Sequence, residues 1–425
     1  MKFFLTIICF LLLNLNAKAF RILDSSIIGF DDIQMYSDTL SNKSVWSAYD
    51  AFNLNFFDNK THIYKLHNHI PDSANTKDKL GAVWTQAIYW DMAMNAYKKA
   101  IKNGDNKRAK KYKLLVDQIY QGVYDHYVHF DWNNQDPQNG WFIYDDIMWW
   151  TISFSRAYTL FHDPKYLQLA DQSFCRVWHG SYLLKDRGSY DNLNGGMFWN
   201  WNNIHPSDNS DNGKMSCINF PTVIAALTLY NIIQTTDIKH QKNDTSGFDK
   251  NMNYPRWHSR ANYLKEGMEI YKWGVENLFD RNTGKIADSR HGKDVDWTTT
   301  MYNQGTFIGA SCILYKITND SDYLNNAIKA ANYAMEIMSA PHGIFPFRKG
   351  EEEGIYTAIM GQYLHMLVFD CGQKQYLPWV SRTIEAGWKT KNDNNLMSKD
   401  YLQKESANIS CYDASGIPAL MLLFK

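Results

Sequence analysis

Two adjacent carboxylates lie inside an otherwise aromatic and aliphatic segment, residues 141–150, which reads WFIYDDIMWW. An ionised carboxylate that is buried without partners is strongly destabilising, so a pair in such a segment needs strong hydrogen-bond partners or a chemical use. Cleavage of a glycosidic bond is one such use, because it commonly employs one protonated carboxyl group at the leaving oxygen and one ionised group at the anomeric carbon. Asp145 and Asp146 are therefore candidate catalytic residues.

The adjacency of these two acids has physical consequences. Coupled acids titrate in separate steps, so a shared site can hold one proton near neutral pH. If a helix begins at the motif, successive side chains diverge by about 100°, so both can border one cleft, and the helix N-terminus favours the ionised one. The alternative is that one aspartate caps the helix and the other faces solvent. The flanking Trp141, Trp149 and Trp150 favour the catalytic interpretation, since indole faces suit pyranose rings as well as cores.

Residues 1–19 have the pattern of a secretory signal peptide: Lys2, an apolar stretch, and Ala17-Lys18-Ala19 at the end. The apolar stretch is shorter than the roughly 20 residues that span a bilayer. We therefore expect an exported protein without a membrane span, located in the periplasm, at the cell surface or in the medium. The mature chain, residues 20–425, is expected to form a single domain, because no linker-like segment divides it.

Composition limits the class of ligand. The 44 Lys and Arg residues balance 44 Asp and Glu residues and are scattered along the chain, which argues against a nucleic-acid partner. The chain contains 15 Trp, 27 Tyr and 22 Phe residues, which suit either an aromatic groove for a neutral ligand such as a carbohydrate or an ordinary large core. No metal-binding motif stands out, so we expect no metal and no cofactor. We also expect a monomer.

The cysteines leave their pairing open. Five follow the signal peptide, an odd number without CxxC spacing: Cys175, Cys217, Cys312, Cys371 and Cys411. Most are expected to be small buried core residues, and one disulfide is compatible with an oxidising compartment. Spacing alone does not identify the partners.

Hydrophobic periodicity predicts an all-α protein. Twelve helices are predicted, over residues 45–57, 83–102, 106–127, 145–161, 165–178, 216–235, 256–279, 302–317, 322–339, 354–369, 376–389 and 414–424. Twelve helices in consecutive hairpins suit an (α/α)6 toroid of six inner and six outer helices. A helical solenoid is the alternative, but no repeated consensus is visible. In a toroid, the long loops gather at one end and form a cleft; they are residues 128–144, 179–215, 280–301 and 341–353.

Four motifs in order resemble glycoside hydrolase family 76, the family of bacterial endo-α-1,6-mannanases with fungal cell-wall relatives. The Tyr144-Asp145-Asp146 segment with Trp149-Trp150 resembles the family's catalytic segment. The others are residues 195–200, GGMFWN, then Lys214 with Asn219, and residues 302–310, YNQGTFIGA. The resemblance covers most of the mature chain and implies a hydrolase that cuts internal α-1,6 linkages of α-mannan without a cofactor.

The resemblance also implies site residues. Asp145 would be the nucleophile and Asp146 the general acid/base of a retaining mechanism, which requires carboxyl groups about 5 to 5.5 Å apart. The candidate substrate-binding residues are Tyr144, Trp149, Asn194, Gly195, Gly196, Trp199, Trp201, Lys214, Asn219, Tyr302, Asn303, Gln304 and Arg348. Each also has a structural interpretation: the glycines as a turn, the tryptophans as core, and the amides as caps or braces.

The chain departs from the family pattern at three places. Residues 356–359, YTAI, and 362–364, QYL, lack two cations that the family usually carries, and Met215 replaces a usual Asn. Arg348 is a candidate to compensate for one lost cation. Two alternatives therefore stay open: a transglycosidase of the same fold that transfers the glycosyl group to a cell-wall glycan, and a glycan-binding protein without activity. Thr357 and Gln362 motivate the second alternative.

Overall fold

The computed structural model describes residues 40–69, 79–134, 136, 141, 143–181, 183–200, 213–233, 259–347, 350, 352–404 and 408–425. Asn42–Lys425 form one compact unit. The predicted signal peptide, residues 1–19, lies outside the described residues, as do Trp201 and Arg348. Among the helices described, none combines the length and the apolar character that a membrane crossing needs.

All twelve predicted helices are confirmed, with ends that shift by a few residues. They are α1 (Asn42–Phe56), α2 (Val83–Lys102), α3 (Asn106–His126), α4 (Tyr144–Phe161), α5 (Pro164–His179), α6 (Ser216–Ile232), α7 (Arg260–Asn277), α8 (Met301–Thr318), α9 (Ser321–Asn332), α10 (Ile355–His365), α11 (Leu377–Lys389) and α12 (Cys411–Phe424). Helices α9 and α10 continue into π-helical turns, Tyr333–Met338 and Met366–Asp370.

The helices form the predicted (α/α)6 toroid. The even-numbered helices make a closed inner ring, in which α2, α4, α6, α8, α10 and α12 each pack on the next and α12 packs on α2. The odd-numbered helices lie outside; for example, α5 packs on α4 and α7 on α6. Inner helices such as α6 are buried over nearly their whole length, whereas outer helices such as α3 bury one face. Apolar residues lie on all faces of α6, as expected for a helix that is packed on all sides.

Each inner helix is joined to the next through one outer helix, so the inner helices run in the same direction. Their N-termini meet at one end of the ring, and the tyrosine that opens α12 illustrates this, because the Tyr412 hydroxyl accepts the Ala82 N–H ahead of α2 at 2.9 Å. Helix N-termini carry unpaired N–H groups and a partial positive charge. This end of the ring is therefore suited to hold anionic side chains.

A small antiparallel sheet in order β1-β2-β3 also lies at this end, and periodicity did not predict it. Its strands are β1 (Lys214–Met215), β2 (Ser289–His291) and β3 (Asp294–Asp296). Met215 pairs with Ser289, and Ser289 pairs with Asp296. The sheet ties the loop before α6 to the loop before α8. Strands of two or three residues are too short to give an alternating pattern.

Gly305 allows the close approach of α8 and α10. A Cβ at this position would lie 2.8 Å from Met360 Cα, a backbone atom that cannot rotate away. Alanine gains about 1 kcal/mol in helix propensity, but overpacking a core commonly costs about 1 to 3 kcal/mol. We therefore expect Gly305→Ala to lower the free energy of unfolding by about 1 to 2 kcal/mol, measured by urea and thermal unfolding.

A control for this test is Thr318→Ala at the exposed end of the same helix, which is expected to change stability by less than about 0.5 kcal/mol. Unchanged or increased stability of the glycine variant would show that the two inner helices can separate at little cost.

Candidate active site

The start of α4 is fixed by backbone contacts. Ile143 is extended and pairs with Asn200, and the Tyr144 N–H donates to the Trp199 carbonyl at 3.0 Å. Helix geometry begins at Tyr144, so Asp145 and Asp146 both lie in the first turn. The segment that carries the two acids is thereby attached to the loop before β1.

A buried ion pair between Arg176 and Asp186 contacts Tyr144, the first residue of α4. The Tyr144 hydroxyl donates to Asp186, and the Arg176 guanidinium donates to the other oxygen of the same carboxylate. The Gly188 N–H adds a third donor to Asp186 at 3.0 Å. Both side chains of the ion pair are fully buried. Because a buried charge that loses its partner is very costly, this network restricts where Tyr144 and the following turn can lie.

Asp145 receives three hydrogen bonds. Its carboxyl oxygen accepts the Asp146 N–H at 3.0 Å, and the side chains of Trp199 and Cys217 also hydrogen-bond this carboxyl group. Burial raises the pKa of Asp145 to about 7, the hydrogen bonds oppose that rise, and the negative charge of Glu352 adds to it. The hydrogen bonds favour the ionised form of this residue.

Asp146 has a different environment. Burial raises its pKa well above the ordinary value, and the charges of Asp145 and Glu352 raise it further. The two neighbouring carboxyl groups thus differ in their surroundings, since hydrogen bonds support the anion of Asp145 whereas repulsion keeps the proton on Asp146. This asymmetry is what an acid and a nucleophile in one site require.

Glu352 is a third carboxylate at the site, and the sequence did not single it out. It raises the pKa of both aspartates and of Tyr356, and its Oε1 accepts the Trp84 indole N–H at 3.4 Å. Its φ angle of 65° is unusual for a residue with a side chain. The run of three glutamates before α10 was a possible signal, but charge runs are usually solvated faces.

Aromatic and polar side chains from α8, α10 and α6 form one wall of the site. Tyr302 and Tyr356 stack with ring centroids 4.2 Å apart, and Tyr302 also hydrogen-bonds Cys217. Asn303 donates to Asp288 at 3.2 Å. Of the predicted residues in this region, Tyr302 is partly exposed at the wall whereas the Asn303 side chain is buried.

Several predicted binding residues are buried and form hydrogen bonds with backbone groups. Asn219 is buried and pairs with both the N–H and the carbonyl of Met197, at 2.8 and 3.1 Å. Gln304 is buried; its side chain accepts the Ile286 N–H at 2.7 Å and donates to the Ala330 carbonyl at 2.8 Å. Tyr144 is buried as well. These residues position the site loops, and their direct contact with a sugar stays a prediction.

The Gly195-Gly196 loop packs on α7. A Cβ at Gly196 would lie 2.6 Å from the Trp273 indole, and both glycines have positive φ angles, 70° and 77°. Lys214 binds the Gly195 carbonyl at 2.6 Å and Asp191 at 2.7 Å. The glycines are therefore needed for this turn and its packing, and a role of their backbone at the sugar stays a prediction.

The remaining member of that loop, Asn194, lies at the surface. Its side chain is exposed and donates to Asp191 at 3.2 Å, and it borders an outer depression beside Trp178 and Tyr190. A contact of Asn194 with substrate therefore also stays a prediction.

The tryptophans divide into core and cleft. Trp141 and Trp150 are almost completely buried, so they account for core packing. Trp149 is also buried, at 3% exposed, and its ring lies 6.1 Å from that of Trp84, which is partly exposed, so a contact of Trp149 with a sugar stays a prediction. Trp84 and Trp199 each hydrogen-bond a site carboxylate through the side chain. Trp84, in the first turn of α2, was not predicted, because nothing in the local sequence distinguishes it from a core tryptophan.

A depression of about 670 Å³ adjoins Tyr356. Its lining includes Thr300, Met301, Phe347 and Glu353. Phe347 is 39% exposed, so an aromatic surface and polar groups are available beside Tyr356. Such a combination is typical of sites for neutral, amphipathic ligands.

The closed ring of inner helices, the paired carboxyl groups and the aromatic walls are the features of an (α/α)6 glycoside hydrolase. The sequence model of glycosyl hydrolase family 76 matches residues 41–239 and 254–415, and the chain belongs to this family. Among curated proteins, none matches the chain.

Solved structures share the fold at low identity. The α-1,6-mannanase of family 76 from Salegentibacter sp. HEL1_6 has a TM-score of 0.69 at 18% identity, covering 90% of this chain and 98% of that one. A family 76 mannosidase from Bacteroides thetaiotaomicron VPI-5482 has a TM-score of 0.68 at 17% identity, with 89% and 96% covered. Dfg5 from Chaetomium thermophilum, solved with glucosamine, has a TM-score of 0.62 at 13% identity, with 91% of each covered.

The raised pKa values make a prediction about stability. The folded protein holds protons on Asp145 and Asp146 above the pH of about 4 at which the unfolded chain releases them, so stability falls as pH rises from there. Asp146→Asn removes this ionisation. We expect its Tm to exceed that of the wild type by a few degrees at pH 8, and the difference to disappear below pH 4, in thermal unfolding across this range.

Asp294→Asn, at an exposed position of β3, is the matched control and is expected to leave Tm unchanged at both pH values. A difference of the same size at every pH would mean that the amide acts through packing and not through the ionisation of the carboxyl group.

Proposed function

We propose that this protein is an exported glycoside hydrolase that cleaves α-1,6-mannosidic linkages of α-mannan by a retaining, two-carboxylate mechanism. The observation that carries the proposal is the unequal environment of the paired aspartates at the start of α4. Family membership supports hydrolysis of a glycosidic bond. The chemistry needs two carboxyl groups and no cofactor.

In this mechanism Asp145 is the nucleophile. Hydrogen bonds from the Asp146 N–H, Trp199 and Cys217 stabilise its ionised form, and the N-terminus of α4 adds a favourable field. Attack on the anomeric carbon forms a glycosyl-enzyme ester and releases the leaving oxygen. The same hydrogen bonds hold the carboxylate in place during attack, which lowers the cost of reaching the transition state.

Asp146 is the general acid/base. Its raised pKa keeps it protonated near neutral pH, so it can protonate the leaving oxygen in the first step. Once Asp145 is esterified, its negative charge is gone and the pKa of Asp146 falls. The same residue can then accept a proton from the water that hydrolyses the ester. Glu352 sustains the high pKa in the free enzyme, since its charge faces both aspartates.

The substrate proposal rests on shape and on relatives. Tyr302, Tyr356 and Trp84 offer apolar ring surfaces beside the carboxylates, and such surfaces suit the apolar face of a neutral hexose. An inactive variant of the Salegentibacter mannanase, with two consecutive aspartates replaced by alanine, was solved with α-1,6-mannotetrose. At 18% identity this relative suggests the substrate class to test first.

The two positions that lack the usual cations both lie on the inner helix α10. Thr357 is buried and accepts the Tyr401 hydroxyl at 3.0 Å, and Gln362 accepts the Asn95 amide at 2.9 Å. Both side chains are satisfied by neutral neighbours, so their substitution leaves the carboxylate pair intact. This favours the enzyme over the glycan-binding alternative.

Removal of either aspartate should abolish turnover. We expect purified mature protein to release short oligosaccharides from linear α-1,6-mannan, and Asp145→Asn and Asp146→Asn to lose at least about a thousandfold in kcat/KM, followed by chromatography. Asp294→Asn is the control that should keep full activity. Wild-type protein that binds the glycan without products would instead support the glycan-binding alternative, and elongated products with an acceptor glycan would support the transglycosidase.

Azide distinguishes the two roles. With an activated aryl α-mannoside, Asp146→Ala plus azide is expected to give the α-glycosyl azide, because the nucleophile still forms the ester. Asp145→Ala plus azide should give the β-glycosyl azide by direct displacement. Proton NMR of the products reads the configuration, and exchanged outcomes would reverse the assignment.

Glu352 should set the pH optimum. Glu352→Gln removes a negative charge that raises the pKa of both aspartates, so both pKa values fall and the pH profile of kcat/KM moves to lower pH. Maximal activity should change by less than about tenfold, because the amide oxygen can still accept from Trp84. Glu276→Gln on the exposed side of α7 is the control. An unshifted profile would remove Glu352 from the electrostatics of the site.

A further inference from the structure

Two cysteines from adjacent inner helices meet at the end of the ring opposite the carboxylates. Cys312 lies in the second half of α8 and is buried, and Cys371 directly follows the π-helical turn that ends α10 and is half-buried. Both are free thiols in the structure. Helices α8 and α10 are neighbours in the inner ring, so this contact joins two elements that lie side by side.

The two thiols are in direct contact. They hydrogen-bond each other, and this bond lowers the pKa of Cys371 and raises the pKa of Cys312. The same junction is held by an ion pair between Lys316 and Asp370, with Nζ and Oδ2 3.2 Å apart. Each member of that pair is close in sequence to one of the cysteines, so the ion pair and the thiol pair lie at the same junction between α8 and the end of α10.

We propose that Cys312 and Cys371 form a disulfide when the protein meets an oxidising thiol–disulfide couple. The two thiols already face each other where α8 and α10 pack side by side, so the cross-link requires no change of fold. Cys217 and Cys411 have other partners, since Cys217 bonds Asp145 and Tyr302 and Cys411 accepts the Tyr89 hydroxyl at 3.1 Å.

The chemistry follows from the unequal exposure of the pair. The half-buried Cys371 thiolate attacks a small-molecule disulfide such as glutathione disulfide, and one glutathione thiolate leaves. The buried Cys312 then loses its proton and attacks Cys371 Sγ, which expels the glutathione. Overall, two protein thiols lose two electrons and two protons, and one glutathione disulfide is reduced to two glutathione molecules.

The cross-link would stabilise the ring without changing the site. It closes a long loop between α8 and α10, which restricts the unfolded chain most strongly. The two cysteines lie on the C-terminal parts of these helices, whereas Asp145, Asp146 and Glu352 lie at the N-terminal end of the ring. Oxidation is therefore expected to raise Tm by several degrees and to leave the structure around the carboxylates unchanged.

The test uses the purified full chain, equilibrated with reduced and oxidised glutathione or with dithiothreitol, then alkylated and mapped by mass spectrometry without reduction. We expect a peptide that joins Cys312 to Cys371 and a higher Tm in the oxidised sample. Cys371→Ser should lose both effects, while Cys175→Ser, on α5, should keep both. The proposal would be overturned if both Cys312 and Cys371 were still alkylated after oxidation, if Cys371 kept a glutathione adduct, or if Cys371 were linked to a cysteine other than Cys312.

Discussion

The site depends on the buried contact between Arg176, Asp186 and Tyr144. An ion pair removed from water is stable only when both charges stay matched, so this network tolerates little displacement of the first turn of α4. Loop and helix are therefore fixed to each other before any contact with a ligand. Asp145 and Asp146 follow directly in the chain, and their directions are set by the helix that starts there. A network that is far from solvent thus determines the geometry of groups that face the cleft.

At the N-terminal end of the inner ring, the toroid brings three carboxyl groups close to one another. Asp145 and Asp146 come from the first turn of α4 and Glu352 from the segment before α10, and their mutual repulsion and burial raise the pKa of the aspartates. Glu352 also has a left-handed backbone conformation, with φ of 65°. Repulsion and backbone strain of this kind reduce the stability of the folded state, and proteins retain them mainly where function requires them. The inner ring, with its extensive apolar packing, supplies the stability that offsets this cost.

Predicted polar residues near the motifs have two kinds of role. Trp199 and Tyr302 lie among the groups that contact Asp145 or its neighbour Cys217. Asn219, Gln304 and Lys214 instead bind backbone carbonyls or N–H groups of the loops that carry the site. Both kinds belong to the same motifs, because a loop must be held in place for its exposed side chains to meet a ligand. A motif therefore identifies the region of the site better than the individual contacts.

Helical periodicity and helix starts are local properties of the chain, so the twelve helices and the position of the paired aspartates could be predicted from sequence, and the number and order of the helices predicted the toroid. The side chains that surround that pair could not be predicted in the same way, because they depend on the packing of distant segments. Glu352, Trp84 and Cys217 come from separate segments, and the Cys312 and Cys371 contact joins two further helices. Closure of the inner ring brings them together. Whether a polar side chain faces a cleft or a backbone carbonyl depends on packing between distant segments, and local sequence does not encode it.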